Sequence, residues 1–425
     1  MTDSIENNGK NKKSPAFEWW MISNVALGAG FSAFVSLLIP PYVTDVTGSA
    51  TDAGVVMAII SLAAIMGPIL GGFADRYRAH RLIMSLGVLG MSLGFLAYGI
   101  SAKSNGLFAL DAILIGVSIA ALSAVGPVFV VGAGLSQELE ARRMTIYSLV
   151  APVGQVLGGV LMGAAASASW SYNQRFLLAA VIMFLCAVIT WFSSKKPSER
   201  ILIAEPVTVG EAKKTQSVGL KGVLISTFGM YLLILILSSV ANNGINNQIA
   251  NIMPNVYGID EATTSGLISL AGLLNIGLFF LAGAWMSHSG TMPVFSMGNV
   301  LRLVGALGMA VVGLIANAPV LIAVAFMQIL YQGIPFVRLT QASLAVRFAT
   351  IPAGQAVGWV IGASAIGSFL GSVLGGMLAD KVGFNAINWM AAIAAGLAVL
   401  LVFIVMWPAE RKKRTEESAA AEPAG

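Results

Sequence analysis

Residues 71–81 read Gly71-Gly72-Phe73-Ala74-Asp75-Arg76-Tyr77-Arg78-Ala79-His80-Arg81, a short charged turn between two apolar runs, 53–74 and 82–101. Each run supplies the ~20 mostly apolar residues that a helix needs to cross a bilayer. Charged side chains are costly in hydrocarbon, so the turn belongs at a membrane face and the chain crosses on either side of it.

The same reading extends along the whole chain. Ten further apolar runs, near 19–42, 107–132, 144–168, 174–194, 222–250, 264–286, 294–316, 319–345, 354–379 and 385–407, bring the total to twelve. Of 425 residues, 57% are hydrophobic and 10% charged, against roughly 25% charged in soluble domains. The composition predicts an all-α integral membrane protein with twelve transmembrane helices. The longest polar stretch, 195–221, holds Lys195, Lys196, Arg200, Lys213, Lys214 and Lys221. It divides the chain into a first six-helix bundle (1–194), a linker (195–221), a second bundle (222–407) and a tail (408–425). The run that begins near Trp19 exceeds the apolar core of a signal peptide and lacks a small-residue cleavage site, so it is expected to remain as the first helix. The single cysteine, Cys186, lies inside an apolar run and reads as a small core side chain.

Lys and Arg accumulate on cytoplasmic loops. With the N-terminus inside, 20 of the 24 basic residues fall on the inner side, and only Lys103, Arg175 and Lys381 fall outside, with Arg302 inside a helix. Both termini are therefore expected in the cytoplasm, with the protein in the inner (plasma) membrane. Trp19, Trp20, Trp170, Trp191, Trp285, Trp389 and Trp407 fall near predicted helix ends, where indole rings favour the interface. The formal charge of +5 is spread over membrane-flanking loops, without a basic face interleaved with aromatics, so nucleic acid is not an expected partner.

The halves repeat each other. Pro41 and Gly54 correspond to Pro254 and Gly266, and Gly116 and the pair Gly158, Gly159 to Gly333 and the pair Gly375, Gly376, at a nearly constant spacing. Transporters are commonly built from such repeats around a central site. The 71–81 turn itself resembles the G-x-x-x-D-R-x-G-R-R/K signature of the major facilitator superfamily, with Arg78 in place of the second glycine and Ala79 in place of the next basic residue. The turn after helix eight, Gly283-Ala284-Trp285-Met286-Ser287-His288-Ser289-Gly290, lacks both acid and arginine, and Gly376-Met377-Leu378-Ala379-Asp380-Lys381-Val382-Gly383 echoes the signature after helix eleven. The resemblance implies two pseudo-symmetric bundles, alternating access, and a gating role for Gly71, Asp75 and Arg76. In it Asp75 faces the positive end of helix eleven.

Polar groups inside the membrane are the remaining candidates. Asp111, one turn inside helix four, is the candidate coupling residue, and Gln328 holds the equivalent place in helix ten. Family members that couple to protons often carry an arginine four residues before the Gly116 position, where this chain has Ala112. Arg338 reads either as an anchor for an anionic substrate or as a side chain snorkelling to the surface. Arg302 is expected to snorkel or to serve structure, since helix nine lies outside the cavity in the family. Asn242, Asn243, Asn246 and Asn247 form two adjoining stripes at helical spacing. They read as a cavity or gate lining opposite helix one, or as a helix end opening into water.

With two histidines and one cysteine, no metal-ligand cluster or phosphate loop is expected, and neither are a cofactor and enzymatic activity. The expected function is secondary transport of a small organic solute across the lipid bilayer, with protons as a candidate coupling ion. The alternatives are a proton-driven exporter of lipophilic compounds and a carrier-fold sensor or assembly protein that does not transport. The orientation is directly testable: a cysteine placed at Ser217 should escape an impermeant thiol reagent applied to intact cells, and efficient labelling there would invert the topology.

Overall fold

The computed structural model describes residues 17–100, 104–133, 135–203, 226–315, 319–349, 351 and 353–421. Among these residues there is no strand, and twelve helices are long and apolar enough to span a membrane. In the first half they are α1 (Trp19–Thr47), α2 (Ala50–Tyr77), α3 (His80–Ile100), α4 (Gly106–Val131), α5 (Arg142–Ser167) and α6 (Tyr172–Ser193). In the second they are α7 (Thr227–Asn246), α8 (Glu261–Ser289), α9 (Thr291–Val312), α10 (Val320–Phe348), α11 (Gln355–Val382) and α12 (Asn385–Thr415).

Packing repeats with the helix order. In the first half α1 lies on α5, α2 on α4, and α3 on both α4 and α6; in the second α7 lies on α11, α8 on α10, and α9 on both α10 and α12. The halves meet along two seams, α2 with α11 and α5 with α8. On the outside, α6 bares Leu177, Val181, Phe184, Leu185 and Val188, an apolar face that suits lipid rather than water.

We call the end bearing the α2–α3 turn and the end of α12 the basic end, and the other the opposite end. At the opposite end, α1 stops at Gly48, whose φ of 72° is a left-handed conformation that glycine adopts without strain. Ser49 then caps α2, its hydroxyl accepting from the Asp52 amide at 3.2 Å. The close approach of α2 and α11 depends on two glycines. A Cβ on Gly376 would lie 2.4 Å from the Ala50 carbonyl oxygen, and one on Gly54 would lie 2.4 Å from that of Ser372, so neither position tolerates a side chain in this packing.

At the basic end, Arg78 ends the helix of α2 with φ 53° and ψ 37°. That is the position where the resembling signature has glycine, and a side chain there costs roughly 1–2 kcal/mol.

Several predicted boundaries move. The helix expected over 222–250 breaks at Gln248, which has φ −125° and ψ 9°, and resumes as a short helix, Ile249–Tyr257. The chain therefore does not fray after Asn247. The helix of α12 runs on through the expected tail as Trp407–Ala421, where Glu410 bonds both Arg347 (2.6 Å) and Arg414 (2.9 Å). The central segment begins as a helix, Lys195–Ile203, tied down by Arg200 to Glu18 at 2.7 Å; residues 204–221 of it lie outside the described residues. Trp20 is not an interfacial ring. It is buried and stacks on Phe129 and Tyr147.

Candidate functional site

A cavity of about 310 Å³ lies between the bundles, and a smaller one of about 110 Å³ shares Phe31, Asn242, Asn243, Ile334 and Arg338 with it. Together they form two lobes of one central space. Its walls come from α1, α2, α4 and α5 on one side and α7, α8, α10 and α11 on the other, with Arg302 reaching in from α9.

Three lining helices lose regular geometry in or next to the cavity, α2 among them with a 3₁₀ turn at Ala64–Met66 whose Ala64 lines the larger lobe. In α1, residues Gly28–Val35 form a π-helix that carries Phe31 and Ser32 into the lobes. In α7 the break at Gln248 follows the asparagine run. Such irregularities free backbone groups from the i→i−4 pattern and recur at functional sites. Those of α1 and α7 also occupy corresponding places in the repeat, because Asn242–Asn247 match Ala29–Phe34.

Of the two asparagine stripes, Asn242 and Asn246 share a face on the smaller lobe, while the Asn243, Asn247 stripe is divided between the cavity and the scaffold. Asn242 and Asn243 line both lobes, with an amide contact of 3.4 Å between them, and the Asn242 carbonyl oxygen is buried with no hydrogen-bond partner among the described residues. Asn246 lines the smaller lobe and accepts from the Tyr331 hydroxyl at 2.8 Å. Asn247 turns away and donates to Ser372 on α11 at 2.7 Å. The helix rotates by ~100° per residue, so four residues spaced 1, 3 and 1 apart cannot all face one space.

Arg338 lines both lobes, its side chain bared to the cavity. Gln328 lines neither. Its amide nitrogen donates to the Leu267 carbonyl at 2.9 Å and so joins α10 to α8. Asp111 is buried on α4 within the electrostatic reach of Tyr42 and Tyr98 and is not among the residues lining either lobe.

Gly71 faces the Ala124 side chain, where a Cβ would have 3.7 Å of room. Asp75 pairs with His80 at 2.8 Å and is largely exposed, rather than resting on the start of α11. Arg76 lies over the Tyr77 ring at 5.5 Å.

Sequence reasoning missed Arg302. Although α9 is peripheral, its arginine passes over Gly333 of α10, where a Cβ would meet the Arg302 Cγ at 2.9 Å. The side chain is 7% exposed, donates to the Ser238 hydroxyl at 2.6 Å, and lines the larger lobe. It therefore points inward instead of snorkelling. The visible signal was the glycine on the neighbouring helix.

The opposite end is closed by contacts between the bundles. The Asp380 carboxylate accepts from the Ala50 amide (2.8 Å), the Thr51 amide (2.9 Å) and the Ser49 hydroxyl (2.8 Å), at the first turn of α2. Glu261 of α8 pairs with Arg175 of α6 at 2.5 Å and accepts from the Tyr172 hydroxyl. Gln248 donates to the Ala50 carbonyl at 3.2 Å, and Asn251 to Thr44 at 3.0 Å. Beside the cavity, the hydroxyls of Ser61 and Ser368 lie 2.7 Å apart.

At the basic end, among the described residues, Glu18 holds Arg143 of the first bundle and Arg200 of the linker helix, and Glu410 holds Arg347 and Arg414 in the second bundle. The α5–α8 seam shows the same asymmetry along its length. Gln155 and Ser269 bond across it to the Ile268 and Val156 carbonyls. Nearer the basic end, a groove of about 500 Å³ separates Met144, Ser148 and Leu149 from Phe279, Phe280 and Gly283. Cross-bundle contacts thus close the seams at the opposite end, and the α5–α8 seam widens toward the basic end.

The major facilitator superfamily model matches residues 20–350 and 233–425. The chain belongs to the major facilitator superfamily. No curated protein sequence matches it. Among solved structures, a D-xylose–proton symporter superposes with a TM-score of 0.71 at 14% identity, covering 91% of this chain and 96% of its own. A peptide transporter, POT, solved with alafosfalin, gives 0.69 at 16% identity, with 92% of each chain covered. The nucleoside transporter NupG gives 0.68 at 12%, with 91% and 98% covered. At these identities the likeness concerns the fold. This major facilitator protein is a multi-pass membrane protein, and among its described residues no His, Cys, Asp and Glu cluster has metal-binding geometry.

The asparagine geometry predicts a split. Asn247→Ala, which removes a buried hydrogen bond, should lower the melting temperature in detergent, consistent with roughly 0.5–1.5 kcal/mol lost, whereas Asn243→Ala should melt like the unaltered chain. Equal melting of the two variants would contradict the different placements.

Proposed function

We propose that this chain is a secondary transporter that moves a small organic solute by alternating access, its two bundles rocking about the central cavity. The observation that carries the reading is the one-sided closure of the seams beside a cavity built from both bundles. Cross-bundle contacts seal the Asp380 end, and the seam opens toward the basic end. A carrier needs that asymmetry in each of its states, with the closed side exchanging. In the orientation expected from the basic residues, the basic end and both termini are cytoplasmic, and the state described is open to the inside of the plasma membrane.

The family and the sugar, nucleoside and peptide transporters that share the fold support transport. In this reading Asn242, Asn243, Asn246 and Arg338 contact the solute, while Gln328 and Asn247 hold the helices that carry them. Asp75, with Gly71 and Arg76, would engage α11 in the opposite state, when the basic end closes. Asp111 is the candidate proton carrier, buried on α4 away from the solute.

The purified chain in proteoliposomes should accelerate flux of at least one solute from a labelled panel of sugars, nucleosides, dipeptides and carboxylates. Replacing Ser49 and Asp380 together by cysteine and oxidising the pair should stop that flux, and reduction should restore it. Full flux through the cross-linked protein would refute alternating access. Asp111→Asn should abolish accumulation driven by a pH gradient while leaving downhill exchange; unchanged accumulation would remove Asp111 from the coupling step.

A further inference from the structure

We propose that the solute is a small organic anion whose acidic group binds between Arg338 and Arg302. This rests on the transport reading above and adds a substrate class to it. The residues lining the two lobes include both arginines and no aspartate or glutamate. Both border the larger lobe, and Arg302 lies within reach of the like charge of Arg338. Two like charges held inside a membrane protein without a carboxylate beside them are expensive. An arriving anion supplies the missing charge.

The arginines are not equivalent. Arg302 is a fixed group: it donates to the Ser238 hydroxyl, which in turn donates to the Asn299 carbonyl oxygen at 2.7 Å. That chain of bonds holds the guanidinium where Gly333 lets it through, and its Nε is buried with no hydrogen-bond partner among the described residues. Arg338 makes no hydrogen bond or ion pair among the described residues and is bared to the space that Arg302 borders. A fixed cation beside an uncommitted one suits recognition of a carboxylate or phosphate, because a planar guanidinium offers paired donors to such oxygens.

The rest of the wall suits the organic part of such a molecule. Phe31, Ile60, Ile119, Ile334, Val360 and Ile361 supply apolar surface. Asn242 and Asn243 add amides, and the Asn242 carbonyl oxygen still lacks a donor, so a hydroxyl or amino group on the solute would complete it. Neither arginine has a counterpart at the corresponding place in the first bundle, since the repeat spacing of 217 pairs Arg338 with Ala121 and Arg302 with Ser85. The charge is therefore one-sided, and the anion rides on the second bundle.

The test measures binding without flux, using the full-length chain in detergent. Succinate and benzoate are compared with their uncharged counterparts succinamide and benzamide by thermal shift and by isothermal calorimetry. At least one acid should raise the melting temperature, and its amide should not. Arg338→Gln should keep the melting temperature of the ligand-free chain yet weaken acid binding by about thirtyfold or more, as expected when one partner of a desolvated charge pair is removed. Arg338→Lys should recover part of the loss. Arg338 is the position substituted because Arg302→Gln would also disturb a buried bond network.

Equal binding of acid and amide, undiminished acid binding by Arg338→Gln, no binding of either acid, or stabilisation by chloride or inorganic phosphate alone would each overturn the proposal. The two readings fail separately. Acid binding without flux in liposomes would keep the anion site and sink transport, whereas flux of a neutral solute undiminished in Arg338→Gln would do the reverse.

Discussion

The Asp380 carboxylate on the first turn of α2 joins the two bundles at the opposite end, and under the alternating-access proposal it is the contact on which the state of the molecule turns. It satisfies two amides that a helix start leaves without partners and places a negative charge at the positive end of the helix dipole. Such a cap is worth roughly 1–2 kcal/mol. That is small beside the burial energy of either bundle but comparable to the difference between two states of a carrier, where about 1.4 kcal/mol changes a population ratio tenfold. The approach of Gly376 to the Ala50 carbonyl sets the separation at which the cap fits. Asp75 has the same relation to its own helix, a glycine four residues earlier and a basic residue next, at the other end of the seam. There it is paired with His80. One such carboxylate is engaged across the bundles and its counterpart is not, the arrangement expected of a seam that closes at one end at a time.

The cavity obeys a second constraint. Polar groups within a membrane need partners from protein, water or ligand, and this chain concentrates them where helices are irregular. The π-helix in α1 and the break after Asn246 in α7 lie beside the same space. Residues that find partners in the protein, Asn247 with Ser372 and Gln328 with the Leu267 carbonyl, drop out of the wall. Arg338, Asn242 and Asn243 remain facing it. Burial of the partnered groups thus fixes the scaffold, and the groups left facing the cavity define what it can hold.

Much of the fold was legible in the sequence because the bilayer imposes one length and one polarity on every span. The twelve helices and the family followed from hydropathy and the 71–81 turn. Fine placement was not legible, for reasons of long-range packing. The direction of Arg302 depends on Gly333, on a different helix, and the partner of Asp380 lies 330 residues earlier in the chain. The echo of the signature after helix eleven was readable as a pattern but not as a cap on α2. Of the asparagine stripes, Asn242 and Asn246 both border the cavity, whereas the bond of Asn247 to Ser372 on another helix could not be read from spacing. Asp75 was read as facing the start of α11, whereas it pairs with His80 five residues on, a contact that the helix spacing did not reveal.

Distances between spin labels across both ends of the bundle seam, measured by double electron–electron resonance in the unaltered chain and in Asp380→Ala, report directly on whether the cap sets the state. One label pair would join the starts of α2 and α8 at the opposite end, and the other the ends of α2 and α10 at the basic end. Loss of the Asp380 cap should lengthen the first distance and shorten the second within the same sample, as a roughly tenfold population shift would produce. If Asp380→Ala leaves both distributions unchanged, or loosens the opposite end without closing the basic end, the cap does not set the state and the two ends are not coupled.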